Sequence, residues 1–305
     1  MFTKNLIKVS ELSATKDLEV LKDGSFSYIT KVESDLTNRL VPCSQEKHIN
    51  SCNTDKTVNG LIVKKNLVNL VDDNKFIIIS EKPLETAFKI HEEISNIKDF
   101  QWKNFPTQIH SSSSISKNAI IAQNNVLIGK NVRISGNAVI HQRTIIEDNC
   151  VIGAGTVLSC DAFQVFDINE KHQKIIKQSG GVKLKNNVEI QSNCTVSRAV
   201  FGGFTEIGSD TLIDSQVHVG HDCIIGRKVL IANQVSLAGR VQIEDGAYIA
   251  PNATISNGLK VGKNAKVTIG STVISDVPEN TIFTGYGAVE HNEWMRQRIM
   301  QMRKK

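Results

Sequence analysis

A branched apolar residue returns at every sixth position through most of residues 128–267 of this 305-residue chain. These anchors are Ile128, Ile134, Ile140, Ile146, Ile152 and Leu158, then Leu184, Ile190 and Val196, then Ile207, Ile213, Val219, Ile225, Ile231, Leu237, Ile243, Ile249, Ile255, Val261 and Val267. Because an amphipathic helix needs apolar spacings of three and four, a strict period of six excludes one. Hexapeptide repeats instead predict a parallel β-helix, in which three short strands and their turns close each coil.

The positions around the anchors support stacked strands and turns. The residue after the anchor is often small, as at Gly129, Gly153 and Gly220. The fourth residue after it is small or β-branched, as in Val132, Ala138, Thr144, Thr211 and Val217. Three of the six cysteines, Cys150, Cys194 and Cys223, occupy this slot. We interpret them as packing residues, since no cysteine pair has the C-x-x-C spacing of a zinc or redox site.

The repeat divides the chain into three predicted regions. These are a small α/β domain with its linker over 1–108, a β-helix over 109–276 and a helical C-terminal cap over 277–305. Within the first region, Leu61–Val63 and Phe76–Ser80 have the apolar composition of short strands. A helix is predicted from Pro83 to Ile97, because proline favours the first helical turn and an apolar stripe follows. Residues 101–114, which end in four serines, are predicted to form the linker.

Two interruptions of the repeat, residues 163–181 and 197–206, are predicted to loop out of the solenoid. Loops on a rigid scaffold often carry binding function. The net charge of +5 is mild and gives no basis for nucleic-acid binding. A basic cluster near the C-terminus suits either an acidic partner or a solvated tail; it comprises Arg296, Arg298, Arg303, Lys304 and Lys305. No apolar run reaches the length of a membrane span, and residues 1–17 lack the apolar core of a signal peptide, so we expect a cytoplasmic protein.

One histidine and one glycine are the candidates for chemistry. His221 lies near a predicted turn, where a neutral imidazole can act as a general base, with His218 and Asp222 close enough to tune it. Gly239 follows 18 residues later, one coil on, where its N–H can stabilise an oxyanion. The alternative is a surface histidine and an ordinary turn glycine. No third histidine follows within 222–290, so no metal site is expected.

Several stretches resemble the UDP-3-O-acylglucosamine N-acyltransferases of lipid A synthesis. They are GLIVKKNLVNLVDDNKFIIISEKPLETAFKIHEEI in the first region and DAFQVFDI, NNVEIQSNCTVSRA and LIDSQVHVGHDCIIG in the solenoid. The stretch HVGHDCIIGRKVLIANQVSLAGRV is also similar to the related O-acyltransferases. The resemblance implies a left-handed β-helix, since handedness does not follow from spacing. It also implies a homotrimer with active sites between neighbouring prisms.

The resemblance assigns roles to individual residues. His221 would deprotonate the sugar amine, and Gly239 would hold the thioester oxyanion. The donor would be a 3-hydroxyacyl chain on acyl carrier protein, and no cofactor would be bound permanently. The further substrate-binding candidates are His218, Asp222, Asp214, Gln216, Gln45, His48 and Arg240.

The chain departs from the family at several of these positions. Gly258 stands where the family has a second active-site histidine, and Gln164 lies where its loop has glycines. Pro42, Gln45 and His48 fall near the family's uracil-binding Phe, Asn and Tyr. Three hypotheses follow: the lipid A N-acyltransferase itself, an acyl-CoA-dependent N-acyltransferase of another nucleotide-linked amino sugar such as a dTDP-sugar, and a non-catalytic scaffold.

Overall fold

The computed structural model describes residues 6–34, 36–97, 102–167 and 173–285, together with residues 295, 296, 299, 300 and 302. The last five are helical. The predicted helical cap over 277–305 begins too early, because Ile282–Phe283 is a strand that pairs with Lys266–Val267 of the solenoid. Residues 286–294, Arg298, Arg303, Lys304 and Lys305 lie outside the described residues. No helix within the described part of the chain is both long enough and apolar enough to cross a membrane.

The second region is a left-handed parallel β-helix built from three sheets, as predicted. Sheet A contains Ile120–Ile121, Val139–Ile140, Val157–Cys160, Thr195–Ser197, His218–Val219, Ser236–Leu237, Thr254–Ile255 and Thr272–Val273. Sheet B contains Gln108–Ile109, Val126–Ile128, Thr144–Ile146, Gly181–Leu184, Phe204–Ile207, Ile224–Ile225, Gln242–Ile243 and Lys260–Val261. Sheet C contains Ser114–Ile115, Arg133–Ile134, Val151–Ile152, Glu189–Ile190, Leu212–Ile213, Leu230–Ile231, Tyr248–Ile249, Lys266–Val267 and Ile282–Phe283.

The hexad anchors form the core of this prism. Each is buried, and together with the small and β-branched residues of the fourth slot they make one continuous cluster. Where no loop intervenes, most residues that pair along a sheet are 18 apart, as Val219 and Leu237 are. Across the two loops the paired residues are farther apart in sequence, as Ile146 and Leu184 are. Cys150, Cys194 and Cys223 belong to the same cluster and are free thiols, which confirms that packing explains them.

The first region folds as a five-stranded sheet with two α-helices. Its strands are β1 (Ile7–Lys8), β2 (Val20–Lys22), β3 (Ser25–Phe26), β4 (Tyr28–Ile29), β5 (Arg39–Pro42), β6 (Val58–Val63) and β7 (Phe76–Ile79). The sheet order is β2-β7-β6-β5-β4, with β2 antiparallel, while β1 pairs with β3 apart from it. The helices are α1 (Glu46–Thr54) and α2 (Pro83–Ile94), and 3-10 turns cover Val9–Glu11, Ser13–Thr15 and Lys65–Leu70.

The solenoid begins earlier than the serine run suggested. Gln108–Ile109 already pairs with the strand Val126–Ile128, and Ser114 begins the first strand of sheet C. Much of the predicted linker 101–114 is therefore part of the first coil. Serine composition was misleading because a coil turn and a linker favour the same small polar residues.

Both interruptions of the repeat leave the prism, over narrower ranges than predicted, and they pack against the first domain. Gly181 and residues 204–206 belong to strands of sheet B, and Ser197 ends a strand of sheet A. The first contains an antiparallel hairpin of Val165–Asp167 and Gln173–Ile175. Ile176, Val200 and Phe201 join the buried cluster between the domain's sheet and α2. The loops therefore connect the two regions of the protein.

Candidate functional site

His221 lies in the turn that joins sheet A to sheet B, and its ring is fixed by the next residue. The imidazole Nδ1 and the Asp222 Oδ2 are 2.7 Å apart. Asp222 adopts a left-handed backbone conformation, with φ of 58°. Because a carboxylate accepts the proton from Nδ1–H, the neutral ring leaves the lone pair of Nε2 free. Among the described residues, Nε2 of His221 has no hydrogen-bond partner.

Gly239 lies directly under this ring, as its spacing of one coil predicted. A Cβ placed on Gly239 would come 2.3 Å from Nε2 of His221 and 2.6 Å from Cε1. Only glycine therefore allows the imidazole to lie against the backbone here. Within the described part of the chain, the N–H of Gly239 donates no hydrogen bond and is available to a ligand.

The second loop and the first domain hold the Asp222 turn, which the sequence analysis did not anticipate. The Asp222 N–H donates to Oγ1 of the buried Thr205 over 2.9 Å, and Val200 N–H donates to the Asp222 carboxylate over 3.3 Å. Lys31 of the first domain donates from Nζ to the carbonyl of Asp222 over 2.8 Å. Thr205 was predicted to lie within the second interruption, whereas it belongs to the strand Phe204–Ile207 of sheet B, directly after the loop.

Lys31 is itself held by a buried arginine. Arg39 is fully buried and donates to the carbonyls of Lys31 and Val32 and to Oγ1 of Thr30. Its guanidinium also pairs with the carboxylate of Asp55. The loop that follows β4 is thus anchored to the sheet of the first domain and reaches the His221 turn.

A cavity of about 280 Å³ opens between the first domain and this corner of the prism. His221, Asp222 and Arg240 line it from the solenoid, and His48 lines it from α1. It is also lined by Pro42, Gln164 and Gly258, three of the positions at which the chain departs from the family it resembles. The structure therefore brings most of these candidate and departure positions together around one space.

The other predicted site residues lie elsewhere in the single chain. Gln45 is exposed at the start of α1 and does not line the cavity. Asp214 and Gln216 lie at a different corner, between sheets C and A, where Asp214 borders a groove of about 250 Å³. His218 lies on the outer side of sheet A. Its imidazole loses part of its solvent contact, which lowers the pKa of His218, and the neighbouring His221 lowers it further.

Comparisons with known proteins agree with the repeat. The model of the bacterial transferase hexapeptide (six repeats) matches residues 125–160 and 204–239, so the chain carries these repeats around both His221 and Gly239. No curated protein sequence matches the chain.

Solved structures with partial similarity include two that are named as UDP-N-acetylglucosamine acyltransferases. The UDP-N-acetylglucosamine O-acyltransferase of Moraxella catarrhalis RH4 is 22% identical, covering 62% of this chain and 77% of that one with a TM-score of 0.39. The acyltransferase of Bacteroides fragilis 9343 is 26% identical, covering 58% and 68% with a TM-score of 0.45. The acetyltransferase domain of PglB from Neisseria gonorrhoeae FA1090 is 13% identical, covering 81% and 97% with a TM-score of 0.22.

Proposed function

We propose that this protein is an N-acyltransferase that moves an acyl group from a thioester to the amine of a nucleotide-linked amino sugar. The observation that carries the proposal is the imidazole of His221, oriented by Asp222 and lying over the backbone of Gly239. A free basic nitrogen beside a free N–H donor is the pair of groups that direct acyl transfer requires.

The reaction uses these two groups in sequence. Nε2 of His221 removes a proton as the amine nitrogen forms its bond to the thioester carbonyl carbon. The negative charge that develops on the carbonyl oxygen is stabilised by the N–H of Gly239. Collapse of the tetrahedral intermediate breaks the carbon–sulfur bond, and the protonated His221 returns its proton to the departing thiolate. The products are an amide and a free thiol.

A covalent route through the neighbouring cysteine is disfavoured. Cys223 is two residues from His221, but its thiol is buried in the core and donates to the carbonyl of Ala238. Burial raises the pKa of Cys223 to about 12, so the thiol stays protonated near neutral pH. Since the thiolate is the nucleophilic form, an acyl-cysteine intermediate is not part of the proposal.

Two donor–acceptor pairs fit the proposal. The resemblance favours a 3-hydroxyacyl chain on acyl carrier protein, passed to UDP-linked acylated glucosamine as in lipid A synthesis. Acyl-CoA with another nucleotide-linked amino sugar, such as a dTDP-sugar, is favoured by the cavity wall. There Pro42 and His48 replace the family's uracil-binding residues, and Gly258 replaces its second histidine.

We also propose a homotrimer, with each site completed by a neighbouring prism. Leu212, Leu230 and Tyr248 project from consecutive strands of sheet C, and each is more than a third exposed in the single chain. Such a row of exposed apolar side chains marks a surface that a second copy can cover. Asp214 adjoins this row, so it would reach the site of a neighbouring copy.

A matrix of donors and acceptors tests the activity. Purified protein is assayed with 3-hydroxyacyl carrier protein and acetyl-CoA against UDP- and dTDP-linked amino sugars, and the amide product is measured. His221→Ala should lower turnover by about 10²–10⁴-fold while the chain stays folded. His110→Ala, which removes an exposed histidine from the first coil, is the matched control and should retain activity. Near-normal turnover by His221→Ala would overturn the assignment of His221 as the base, whereas no turnover by the wild type with any substrate pair would favour the scaffold hypothesis.

A further inference from the structure

Arg240 is a charged residue of the cavity that the proposed chemistry does not use. It follows Gly239 in the turn, with φ of 64°, and its N–H donates to the carbonyl of His221 over 2.7 Å. Its side chain lines the same cavity as His221 and Asp222. The turn geometry therefore ties Arg240 to both ends of the catalytic pair.

The guanidinium of Arg240 has no acceptor within the described part of the chain. Its Nε is shielded from solvent and donates no hydrogen bond, and no carboxylate pairs with the group. Of the other charged groups that line the cavity, Lys31 donates to the Asp222 carbonyl, the Asp222 carboxylate binds His221, and the exposed Glu33 forms no ion pair with Arg240 in the described part of the chain. Leaving a shielded charged donor unpaired is costly, so the site is built for a ligand that supplies the acceptor.

The coil above Arg240 leaves room for that ligand. Gly258 lies 18 residues later in the same turn position, and it too lines the cavity. A Cβ built on Gly258 would have no heavy atom within 4 Å. The space beside Gly258, one coil above Arg240 in the same cavity, is therefore open rather than filled by a side chain.

We infer that Arg240 binds the phosphate attached to the sugar of the nucleotide-linked acceptor. This inference rests on the proposed function, which places the acceptor amine at Nε2 of His221. In a 2-amino sugar nucleotide the amine and the first phosphorus are separated by only four bonds. A phosphate there lies close to the turn that carries both His221 and Arg240, and a guanidinium can bind it with two parallel hydrogen bonds.

The donor's phosphate does not fit this position. In acyl carrier protein and in CoA, the pantetheine arm separates the thioester from the nearest phosphate. If the thioester carbonyl is at Gly239, that phosphate lies at the far end of the arm, away from the adjacent Arg240. The acceptor phosphate is therefore the anion that this site selects.

Arg240→Gln is the direct test, because the backbone already accepts glutamine in this slot. Gln234 occupies the equivalent turn position one hexad earlier and Gln216 four hexads earlier, with φ of 58° and 62°. The matched control is Lys228→Gln, which removes an exposed cation from the same slot at another corner, where φ is 55°. Binding of UDP and of dTDP is measured by calorimetry, and KM is measured for each substrate.

We expect Arg240→Gln to raise the Kd of the better nucleoside diphosphate and the acceptor KM by about 10–100-fold, the usual range for a lost charged hydrogen bond. The donor KM should not change, and Lys228→Gln should behave as wild type. Arg240→Lys should bind more tightly than Arg240→Gln but less tightly than wild type, because an ammonium group keeps the charge and lacks the two parallel donors of a guanidinium.

Three results would overturn the inference. They are an unchanged Kd in Arg240→Gln, a raised donor KM with a normal acceptor KM, and failure of the wild-type protein to bind either nucleoside diphosphate. Failure of the proposed function is distinguishable, because it would abolish turnover with every substrate pair while leaving the binding measurement intact. His221→Ala separates the two further, since it should lose turnover but keep the wild-type Kd.

Discussion

Asp222 shows how one residue serves both the fold and the site. Its left-handed backbone makes the turn, and the same turn brings its carboxylate to Nδ1 of the preceding His221. Aspartate is one of the few residues with a side chain that tolerate this conformation readily. The hexad therefore allows a carboxylate directly after the base, at a backbone conformation that would strain a bulkier side chain.

We predict that Asp222→Asn lowers kcat by about 10²-fold or more with little change in either KM. The amide keeps the size of the side chain and its turn preference, but it no longer supplies the charge that stabilises protonated His221. Steady-state kinetics check the split between kcat and KM. Thr205→Val, which removes only the hydroxyl that accepts the Asp222 N–H, should cause a smaller loss; a larger one would contradict the role given to the carboxylate.

Gly239→Ala should inactivate the protein without unfolding it. The added methyl group would meet the His221 ring at 2.3 Å, and a partly exposed side chain can rotate away. Displacing the base and crowding the oxyanion site should lower kcat by about 10²-fold or more. Thermal unfolding and kinetics are measured together.

Gly220→Ala provides the opposite case for comparison. Its Cβ would meet the backbone carbon of Ala238 and the backbone nitrogen of Gly239, both at 2.7 Å. Backbone of the next coil cannot move aside as a side chain can, so we expect a clear loss in Tm. Equal losses of Tm in the two variants would contradict a specific role for Gly239.

At the scale of the element, the hexad pattern predicted the buried positions of each coil but not the backbone conformation of its turns. The anchors and the fourth slot were visible because burial restricts them to apolar or small residues. The third residue after each anchor has positive φ in coil after coil, including Asn131, Asn137, Asn193 and Asn252. Asparagine or glycine at this position is the sequence signal for a left-handed backbone conformation. The spacing of the anchors does not contain that signal.

The α2 helix carries a buried histidine that couples the first domain to the solenoid. His91 is 1% exposed, and its Nε2 lies 3.0 Å from Oγ of Ser179. Its ring packs edge-to-face against the ring of Phe201, with the centroids 5.1 Å apart. Burial lowers the pKa of His91 to about 4. The unfolded chain therefore binds this proton at a higher pH than the folded chain does.

This difference makes acid stability a test of the contact between the regions. Stability from neutral His91 is fully present above a pH of about 6.5 and is lost progressively as the pH falls toward 4, by about 3 kcal/mol in total. Urea unfolding at pH 7 and pH 4.5 is compared for wild type and His91→Gln. The variant should lose less stability between the two pH values; an equal loss would contradict the prediction.

At the scale of the whole molecule, long-range contacts were the part that spacing could not supply. The sequence placed His221 above Gly239 because the coil length is constant. It did not place Lys31, Val200 or Thr205 beside Asp222, since these contacts depend on how the first domain and the second loop return to the prism. Nor did it show that the Arg240 guanidinium lacks an acceptor among the described residues, because that depends on every neighbouring side chain.

The proposed trimer can be tested with a charged residue in its apolar surface. Leu230→Glu places a charge in the middle of the exposed apolar row on sheet C, between Leu212 and Tyr248. Burying an unpaired carboxylate against a second copy is unfavourable, so the trimer should dissociate. Leu21→Glu, at an exposed leucine of β2 in the first domain, is the matched control.

Sedimentation equilibrium and turnover are measured on both variants and on wild type. Wild type and Leu21→Glu should have three times the mass of one chain, and Leu230→Glu should approach the mass of one chain. Because the proposed trimer completes each site with a neighbouring prism, Leu230→Glu should also lose most activity while each prism remains folded. A monomeric, fully active Leu230→Glu would show that one chain holds a complete site, and an unchanged trimer would place the interface on another face.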